Sequence, residues 1–189
     1  MKKLLLTLWF LPAIVGAELI DADLLIVGGN ESACAAAVQA SRLGVKRIVL
    51  VNDIEWLGGQ FSAEGVGCPD EWTVVNNART HFPRSGIFLE VLRRIRAHNS
   101  STYGMASPGN AFCGTETIEP AAAARIFSEL LEPCVRSGAL RIESGWQPTR
   151  VVVEGGRVDA VEFEPTNGGA SRLQVKARIT LDASDWGDV

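Results

Sequence analysis

The sequence is poor in the residues from which metal sites and redox-cysteine sites are built. It has two histidines and four cysteines in 189 residues, and no CxxC or HxxxH spacing occurs. The sequence therefore predicts no zinc site. Runs of basic residues are also absent beyond two in a row, and the net charge is −4. This charge pattern excludes an extended nucleic-acid-binding surface.

Long hydrophobic runs are absent too, apart from one short stretch at the amino terminus. Lys2 and Lys3 precede the apolar segment Leu4–Val15, small residues follow up to Ala17, and Glu18 restores charge. This layout is typical of a secretory signal peptide, and the segment is shorter than the roughly 20 residues that span a bilayer. We expect cleavage near Ala17 and an exported chain with no stable membrane anchor. A buried amino-terminal helix or an anchor is the alternative.

The composition of the whole chain is that of a globular protein. Hydrophobic residues make up 47% and charged residues 21%, which excludes a disordered chain. Nineteen glycines and eight prolines are too few for collagen or a low-complexity linker.

The first half of the exported chain predicts a strand–helix–strand unit. Residues 23–27 form an apolar run typical of a buried parallel strand, and 32–43 form an alanine-rich helix that ends before Gly44. Residues 47–52 form a second strand, which completes a βαβ unit. Residues 53–85 look irregular, and 87–98 are predicted to be helical.

The second half adds one helix and several β-branched segments. A loop is predicted over 100–114 and a helix over 119–135, with a short strand at 140–142. Glycine-rich turns separate the segments 150–153, 158–163 and 173–179, which predicts a three-stranded antiparallel meander. A further apolar strand is expected at 178–181. Together these elements predict an α/β, Rossmann-like fold with a parallel sheet, flanking helices and a meander.

The turn after the first strand resembles a dinucleotide-binding fingerprint in which two of three glycines are replaced. Gly28 occupies the first glycine position, Asn30 the second and Ala33 the third. Asn tolerates unusual backbone, Ala adds one methyl, and a helix amino terminus still offers N–H groups to phosphate. An ordinary strand–helix turn remains the alternative.

The end of the second predicted strand carries the candidate ribose-binding residues. Asn52 stands where such turns are followed by an acid, and Asp53 comes directly after it. Asn52 can accept a hydrogen bond from a ribose hydroxyl, and Asp53 would substitute if the strand ended one residue later. A simple strand-end turn is the alternative.

Four sequence blocks carry a family resemblance. Residues 55–62 read EWLGGQFS and resemble the WLGGQ segment of FAD-dependent oxidoreductases with the glutathione-reductase-like fold, of an exported bacterial type. Residues 65–71, 118–127 and 181–188 resemble that family's GV…PDE, EP…A…I and DAT…GD segments, in the same order. The resemblance covers nearly the whole chain from 23 to 188.

The resemblance implies FAD as cofactor and assigns roles to particular positions. Residues near the pyrophosphate would be Gly28, Gly29, Ser32 and Ala33, with Asn52 or Asp53 at the ribose. Residues on the flavin side would be Gly58, Gly59 and Gln60, and those passing near the adenosine end would be Asp182, Ala183 and Ser184. This sequence departs from the family at Asn30, Ala33, Asn52 and Asp185.

The resemblance names no catalytic residue, and the polar candidates around the irregular region are His81, His98, Glu71 and Arg79. Tyr103, the sole tyrosine, carries no motif. Among the cysteines, Cys34 and Cys134 are predicted to be buried in helices. Cys68 and Cys113 lie in glycine-containing loops and could form a disulfide, which export permits.

The sequence thus predicts the amino-terminal part, residues 18–189, of an FAD-binding domain. We expect hydride transfer between flavin and a small organic substrate, with the substrate region absent and no activity from the chain alone. A cofactor-free secreted binding protein of the same fold and a nicotinamide-binding Rossmann domain are the alternatives. The WLGGQ block and the meander argue against the nicotinamide domain.

The signal-peptide hypothesis makes a direct prediction about the secreted protein. Amino-terminal sequencing of material recovered outside the cytoplasm is expected to begin at Glu18, because signal peptidase cleaves after small residues such as Ala17. A retained Met1 in that material would contradict the hypothesis.

Overall fold

The structure is a computed structural model that describes residues 17–69, 72–76, 78–81, 84, 86–109 and 116–189, with the side chains of 72–75 and 78–81 excepted. The elements, in chain order, are β1 Ala17–Val27, α1 Glu31–Arg42, β2 Ile48–Asn52, a 3₁₀ turn Gly59–Phe61, β3 Trp72–Val75, β4 Ala78–His81, α2 Gly86–Tyr103, α3 Pro120–Arg136, β5 Leu140–Ser144, β6 Trp146–Glu154, β7 Arg157–Pro165 and β8 Arg172–Asp182.

Six strands form one mixed sheet in the order β5-β2-β1-β8-β7-β6. The first four strands in this order run parallel, and β7 and β6 continue the sheet as an antiparallel meander with β8. This arrangement confirms the predicted α/β fold with a parallel sheet and a meander.

The long strand β8 joins the parallel sheet to the meander. It pairs with β7 on one side, where Leu173 lies opposite Phe163, and with β1 on the other along the whole of its length. The prediction of two separate segments, 173–179 and 178–181, was wrong. Both segments are parts of β8, which pairs with β7 along one edge and with β1 along the other.

The βαβ unit forms as predicted, for local reasons. Helix α1 begins after Asn30, whose side chain caps the first turn, and ends at Arg42. Gly44 follows with φ +93, the left-handed conformation that suits glycine after a helix. The small buried side chains of α1 let the helix pack closely on the sheet.

Two hydrophobic clusters cover the two faces of the sheet. On one face, Ile26 and Leu50 pack against the buried sides of the helices, including Phe127 of α3. On the other face, Val49 and Val51 pack with Phe163 and neighbouring residues of the meander. The strands of the βαβ unit are therefore buried on both sides, which explains their unbroken apolar sequence.

Helix α3 follows the predicted pattern closely. Pro120 occupies the first turn, where it needs no hydrogen-bond donor. Phe127 faces inward, and its ring lies 5.5 Å from that of Phe61. This contact attaches the helix to the 3₁₀ turn beside the functional site described below.

Two segments differ from their predictions. The irregular stretch 53–85 contains the antiparallel hairpin β3–β4, whose turn includes Asn76 with φ 50, a conformation that asparagine tolerates. Helix α2 runs on to Tyr103, past the predicted loop start. Buried Asn99 donates to the carbonyls of Ala106 and Thr117, so tertiary contacts extend the helix beyond its local preference.

The cysteines separate into two kinds. Cys34 and Cys134 are free and buried, as expected, and burial raises the pKa of the Cys34 thiol to about 12. Cys68 takes part in a disulfide. Cys113 lies outside the described residues, so its pairing with Cys68 stays a prediction.

Within the described part of the chain, no helix is long and apolar enough to cross a membrane. Of the predicted signal peptide, only Ala17 is described, as the first residue of β1.

Candidate functional site

A cavity of about 330 Å³ opens at the carboxyl ends of β1, β2 and β8. In open α/β sheets this edge is where ligands bind, and the volume falls at the lower end of the usual range for small-molecule sites. Five chain segments form its wall, and the residues that line it are Val27, Gly28, Gly29, Asn30, Val51, Asn52, Asp53, Ile54, Trp56, Gly59, Ala63, Glu64, Trp146, Gln147, Pro148, Ser184, Asp185, Trp186 and Asp188.

Gly28 forms the tight turn after β1. Its φ is +109, and its N–H donates to the carbonyl of Val51 at 2.8 Å. A Cβ on this residue would lie 2.1 Å from the carbonyl oxygen of Ala183. Both the backbone conformation and the space therefore require glycine here.

Gly29 lets the turn approach the end of β2. A Cβ here would lie 2.4 Å from the side chain of Asn52. Its carbonyl accepts a hydrogen bond from the N–H of Gly58 at 2.8 Å. The two adjacent glycines thus bring the β1–α1 turn, the end of β2 and the WLGG loop together.

The amino terminus of α1 is capped from within. The Asn30 side-chain oxygen accepts from the Ala33 N–H at 2.9 Å and from the Ser32 hydroxyl at 2.7 Å. The N–H groups of residues 29–32 have no hydrogen-bond acceptor within the described part of the chain. Gly29 and Asn30 line the cavity, whereas Ala33 is fully buried and Ser32 lies outside the lining.

Asn52 is the last residue of β2 and is almost completely buried. Its amide nitrogen donates to the carbonyl of Ile54 at 2.8 Å and to that of Trp56 at 3.2 Å. Both N–H groups of the amide are therefore occupied, and only the oxygen is left to accept a hydrogen bond from a ligand. Asp53 lies beyond the strand and also lines the cavity.

The WLGG loop places glycines where side chains would collide. Gly58 has φ +106, and a Cβ there would lie 2.3 Å from the Phe127 ring. Gly59 has φ +45, and a Cβ there would lie 2.5 Å from a carboxylate oxygen of Glu31. Gly59 lines the cavity; Gly58 and Gln60 lie behind it.

Asp182 organises the loop that follows β8. One carboxylate oxygen accepts from the N–H and the hydroxyl of Ser184, and the other accepts from the Val189 N–H. Burial by itself would raise the pKa of Asp182, but the hydrogen bonds from Ser184 and Val189 hold it below its usual value. Ser184 lines the cavity, and Asp182 and Ala183 support it from behind.

The charged residues of the cavity wall are all acidic. They are Asp53, Glu64, Asp185 and Asp188, and no lysine, arginine or histidine lines the cavity within the described residues. Burial, together with the charges of Asp185 and Glu31, raises the pKa of Glu64. Among the described residues, an anion in the cavity would therefore be held by neutral hydrogen-bond donors and the dipole of α1, without a cationic side chain.

Of the polar residues considered as catalytic candidates, only the side chain of His98 is described, and it does not join this site. His98 lies beside Glu119, 3.9 Å away, and beside Arg125, and the Tyr103 hydroxyl donates to Glu119. None of them lines the cavity. Glu71 lies outside the described residues, as do the side chains of Arg79 and His81.

Sequence reasoning missed much of the wall opposite the glycine turn. Trp146, Gln147 and Pro148 come from the start of β6, and Trp186 from the loop after β8. No local motif marks the β6 residues, because they reach the cavity only through the pairing of distant strands. Trp186 lies inside the recognised 181–188 block, which was a usable signal.

The hydrogen bonds of Asn52 predict that its replacement by aspartate would lower the stability of the fold. Asn52→Asp would place a carboxylate oxygen against two carbonyl oxygens, with an expected loss of about 1–3 kcal/mol of unfolding free energy at pH 7, measured by urea denaturation. Asn167→Asp is the matched control, because that side chain only accepts a hydrogen bond, from Gly169. Equal stability of the two variants would contradict this account of Asn52.

Comparison with known proteins agrees with the geometry. A family model described as FAD dependent oxidoreductase matches residues 23–189. No curated protein matches the chain significantly.

Solved structures show the same fold. The adenylylsulfate reductase of Archaeoglobus fulgidus matches with 16% identity and a TM-score of 0.55, over 90% of this chain and 31% of that one. The glycerol-3-phosphate dehydrogenase of Bacillus halodurans, solved with FAD, matches with 13% identity and a TM-score of 0.54, over 88% and 35%. A geranylgeranyl bacteriochlorophyll reductase-like protein of Thermoplasma acidophilum matches with 16% identity and a TM-score of 0.51, over 88% and 40%.

The chain thus spans between 31% and 40% of the length of these three structures. Because the family model matches residues 23–189, the chain belongs to the FAD-dependent oxidoreductase family, whose cofactor is FAD.

Proposed function

We propose that the cavity at the ends of β1, β2 and β8 holds FAD for hydride transfer between the flavin and a small organic substrate. The observation that carries the proposal is the Gly28–Gly29 turn, which leads into α1 with the N–H groups of residues 29–32 open. Such a helix terminus binds phosphate through N–H donors and a positive dipole end.

The residues present fit the pyrophosphate. Two glycines let the turn pack against Ala183 and Asn52 without a side-chain collision, and Asn30 caps only the Ala33 N–H, deeper in the helix. Ala33 in place of the third glycine is buried under this cap and does not narrow the cavity. The replaced fingerprint therefore keeps the part of the turn that would meet phosphate.

The ribose position is also compatible. The Asn52 oxygen can accept from a ribose hydroxyl, and its orientation is fixed by the two hydrogen bonds of its amide nitrogen. Asp53 supplies a carboxylate next to it. A neutral amide accepts a weaker hydrogen bond than a carboxylate does. Because the cavity wall is already acidic, a neutral Asn52 adds no further repulsion of a ligand that carries phosphate.

The flavin end would lie along Gly59 and Ala63, with Gly58 and Gln60 outside the lining, and Ser184 would lie near the adenosine end. When bound, FAD supplies the redox chemistry, since the isoalloxazine accepts or donates the hydride. The residues of this chain bind the nucleotide and orient it.

We also infer that residues 18–189 form the amino-terminal part of an FAD-binding domain and that the protein is exported. The share of the solved structures that the chain covers supports the first inference, and the residues at 2–17 support the second. The substrate would then contact residues outside this chain, and the chain alone is expected not to convert substrate.

The acidic lining favours one second candidate, a binding protein of the same fold that holds no flavin. Four carboxylates and no basic side chain face the cavity among the described residues, which opposes a dinucleotide. Flavin retention separates the two functions. A folded protein that takes up no FAD would support the second candidate.

The glycine turn makes the first prediction. Gly28→Ala is expected to abolish retention of FAD, read as the visible absorbance of the purified protein, because the methyl group would push the turn away from Ala183. Gly44→Ala is the matched control, since its φ of +93 is similar and nothing lies within 4 Å of its Cβ. Both variants have a left-handed backbone strain of about 1–2 kcal/mol. Undiminished retention by the Gly28 variant would place the phosphate elsewhere.

The acidic wall makes the second prediction. An anionic pyrophosphate would raise the pKa of Glu64 further, so FAD binding takes up a proton and affinity rises as pH falls from 7 toward the ordinary value of 4.5. The gain is at most about tenfold for each unit by which the pKa rises. It is measured by flavin fluorescence titration at several pH values.

Two variants test the origin of this pH dependence. Glu64→Gln is expected to bind FAD more tightly at pH 7 and to flatten the profile. Glu132→Gln, on the exposed side of α3, is expected to leave it unchanged. Affinity that is independent of pH in the unsubstituted protein would remove the proposed contact between pyrophosphate and the acidic wall.

A further inference from the structure

The side chain of Asn30 bridges two walls of the cavity that are far apart in sequence. Its oxygen caps α1, as described above, and its amide nitrogen donates to the carbonyl of Ala183 at 2.8 Å. The donor and the acceptor are 153 residues apart in the chain. One side chain thus connects the β1–α1 turn to the loop after β8.

Ala183 is held at this place by two further contacts. Its N–H donates to the carbonyl of Val27 at 2.8 Å, and its carbonyl lies against Gly28, where a Cβ would be 2.1 Å away. The hydrogen bonding between β1 and β8 therefore extends to the first residue after β8. The Asn30 amide then donates to the carbonyl of that residue, Ala183.

The loop that follows Ala183 is held together by its own hydrogen bonds. Ser184 is bonded to Asp182 through its N–H and its hydroxyl, and the Asp188 N–H donates to the Ser184 hydroxyl oxygen. These bonds tie the lining residues Ser184 and Asp188 to the carbonyl that Asn30 holds.

We propose that Asn30 is a positioning residue that clamps the phosphate-binding turn to the loop 183–189 and so fixes the width of the cavity. Its role in cofactor binding rests on the proposed function. The clamp needs an acceptor for the Ala33 N–H and a donor for the Ala183 carbonyl in one short side chain. Asparagine supplies both on two separate atoms, whereas serine has one hydroxyl oxygen for the two tasks, aspartate supplies only the acceptor and glycine supplies neither.

Hydrogen exchange tests the clamp without any ligand. Asn30→Ser keeps a helix-capping oxygen and removes the amide nitrogen that donates to Ala183, so amides of 183–189 are expected to exchange faster while those of 33–42 keep their protection. Asn30→Gly is expected to speed exchange in both segments. Asn167→Ser is the control, because Asn167 does not line the cavity. Unchanged exchange of 183–189 in the serine variant would overturn the proposal.

The pH dependence of hydrogen exchange distinguishes loss of the hydrogen bond from a change in the shape or packing of the side chain. Asn30→Asp is nearly isosteric, and at pH 7 its carboxylate would face the Ala183 carbonyl. Protonation gives it a hydroxyl donor, so its exchange over 183–189, compared with wild type at the same pH, is expected to recover as pH falls through about 4. A constant ratio at all pH values would show that the donor does not hold the loop.

Affinity for FAD tests the role in cofactor binding. The full chain with Asn30→Ser is expected to bind FAD about three- to tenfold more weakly, the range for one lost neutral hydrogen bond. If the unsubstituted chain binds no FAD, the proposed function fails while the exchange results still decide the clamp. If that chain binds FAD and Asn30→Ser binds equally well, the positioning role is wrong and the proposed function stands.

Discussion

The close contact between the end of β1 and the end of β8 sets the geometry of the site. Gly28 lies against the Ala183 carbonyl without room for a Cβ, and the Ala183 N–H donates to Val27. Because the two backbones are in contact here, the turn into α1 and the loop after β8 are held next to each other. The cavity lies beside this contact and is lined by both segments.

The replaced glycine fingerprint is best understood from this contact. A dinucleotide-binding turn uses its second glycine to admit phosphate and its third to pack helix against strand. Here Asn30 puts a side chain at the second position but turns it toward Ala183 and the helix cap, away from the open N–H groups. Ala33 is small enough to stay fully buried at the third. The two substitutions change how the turn is held and leave the N–H groups of residues 29–32 without an acceptor among the described residues.

Charge is the second constraint on this cavity. With carboxylates as the only charged groups on its described wall, binding of a phosphate here would depend on neutral donors such as backbone N–H groups and on the dipole of α1. A neutral Asn52 at the proposed ribose position adds no further negative charge, and its amide is oriented by the loop carbonyls. An aspartate there would be repelled both by those carbonyls and by the ligand.

The sequence by itself determined the βαβ unit, helix α3, the meander and the glycine positions 28, 29, 58 and 59. Each depends on local periodicity, capping or turn chemistry, which neighbouring residues encode. Only the tertiary structure decided that β8 pairs with both β1 and β7, that Trp146 lines the cavity and that Asn30 contacts Ala183. These features depend on the pairing of parallel strands far apart in the chain, and no local pattern specifies which distant carbonyl a side chain will find.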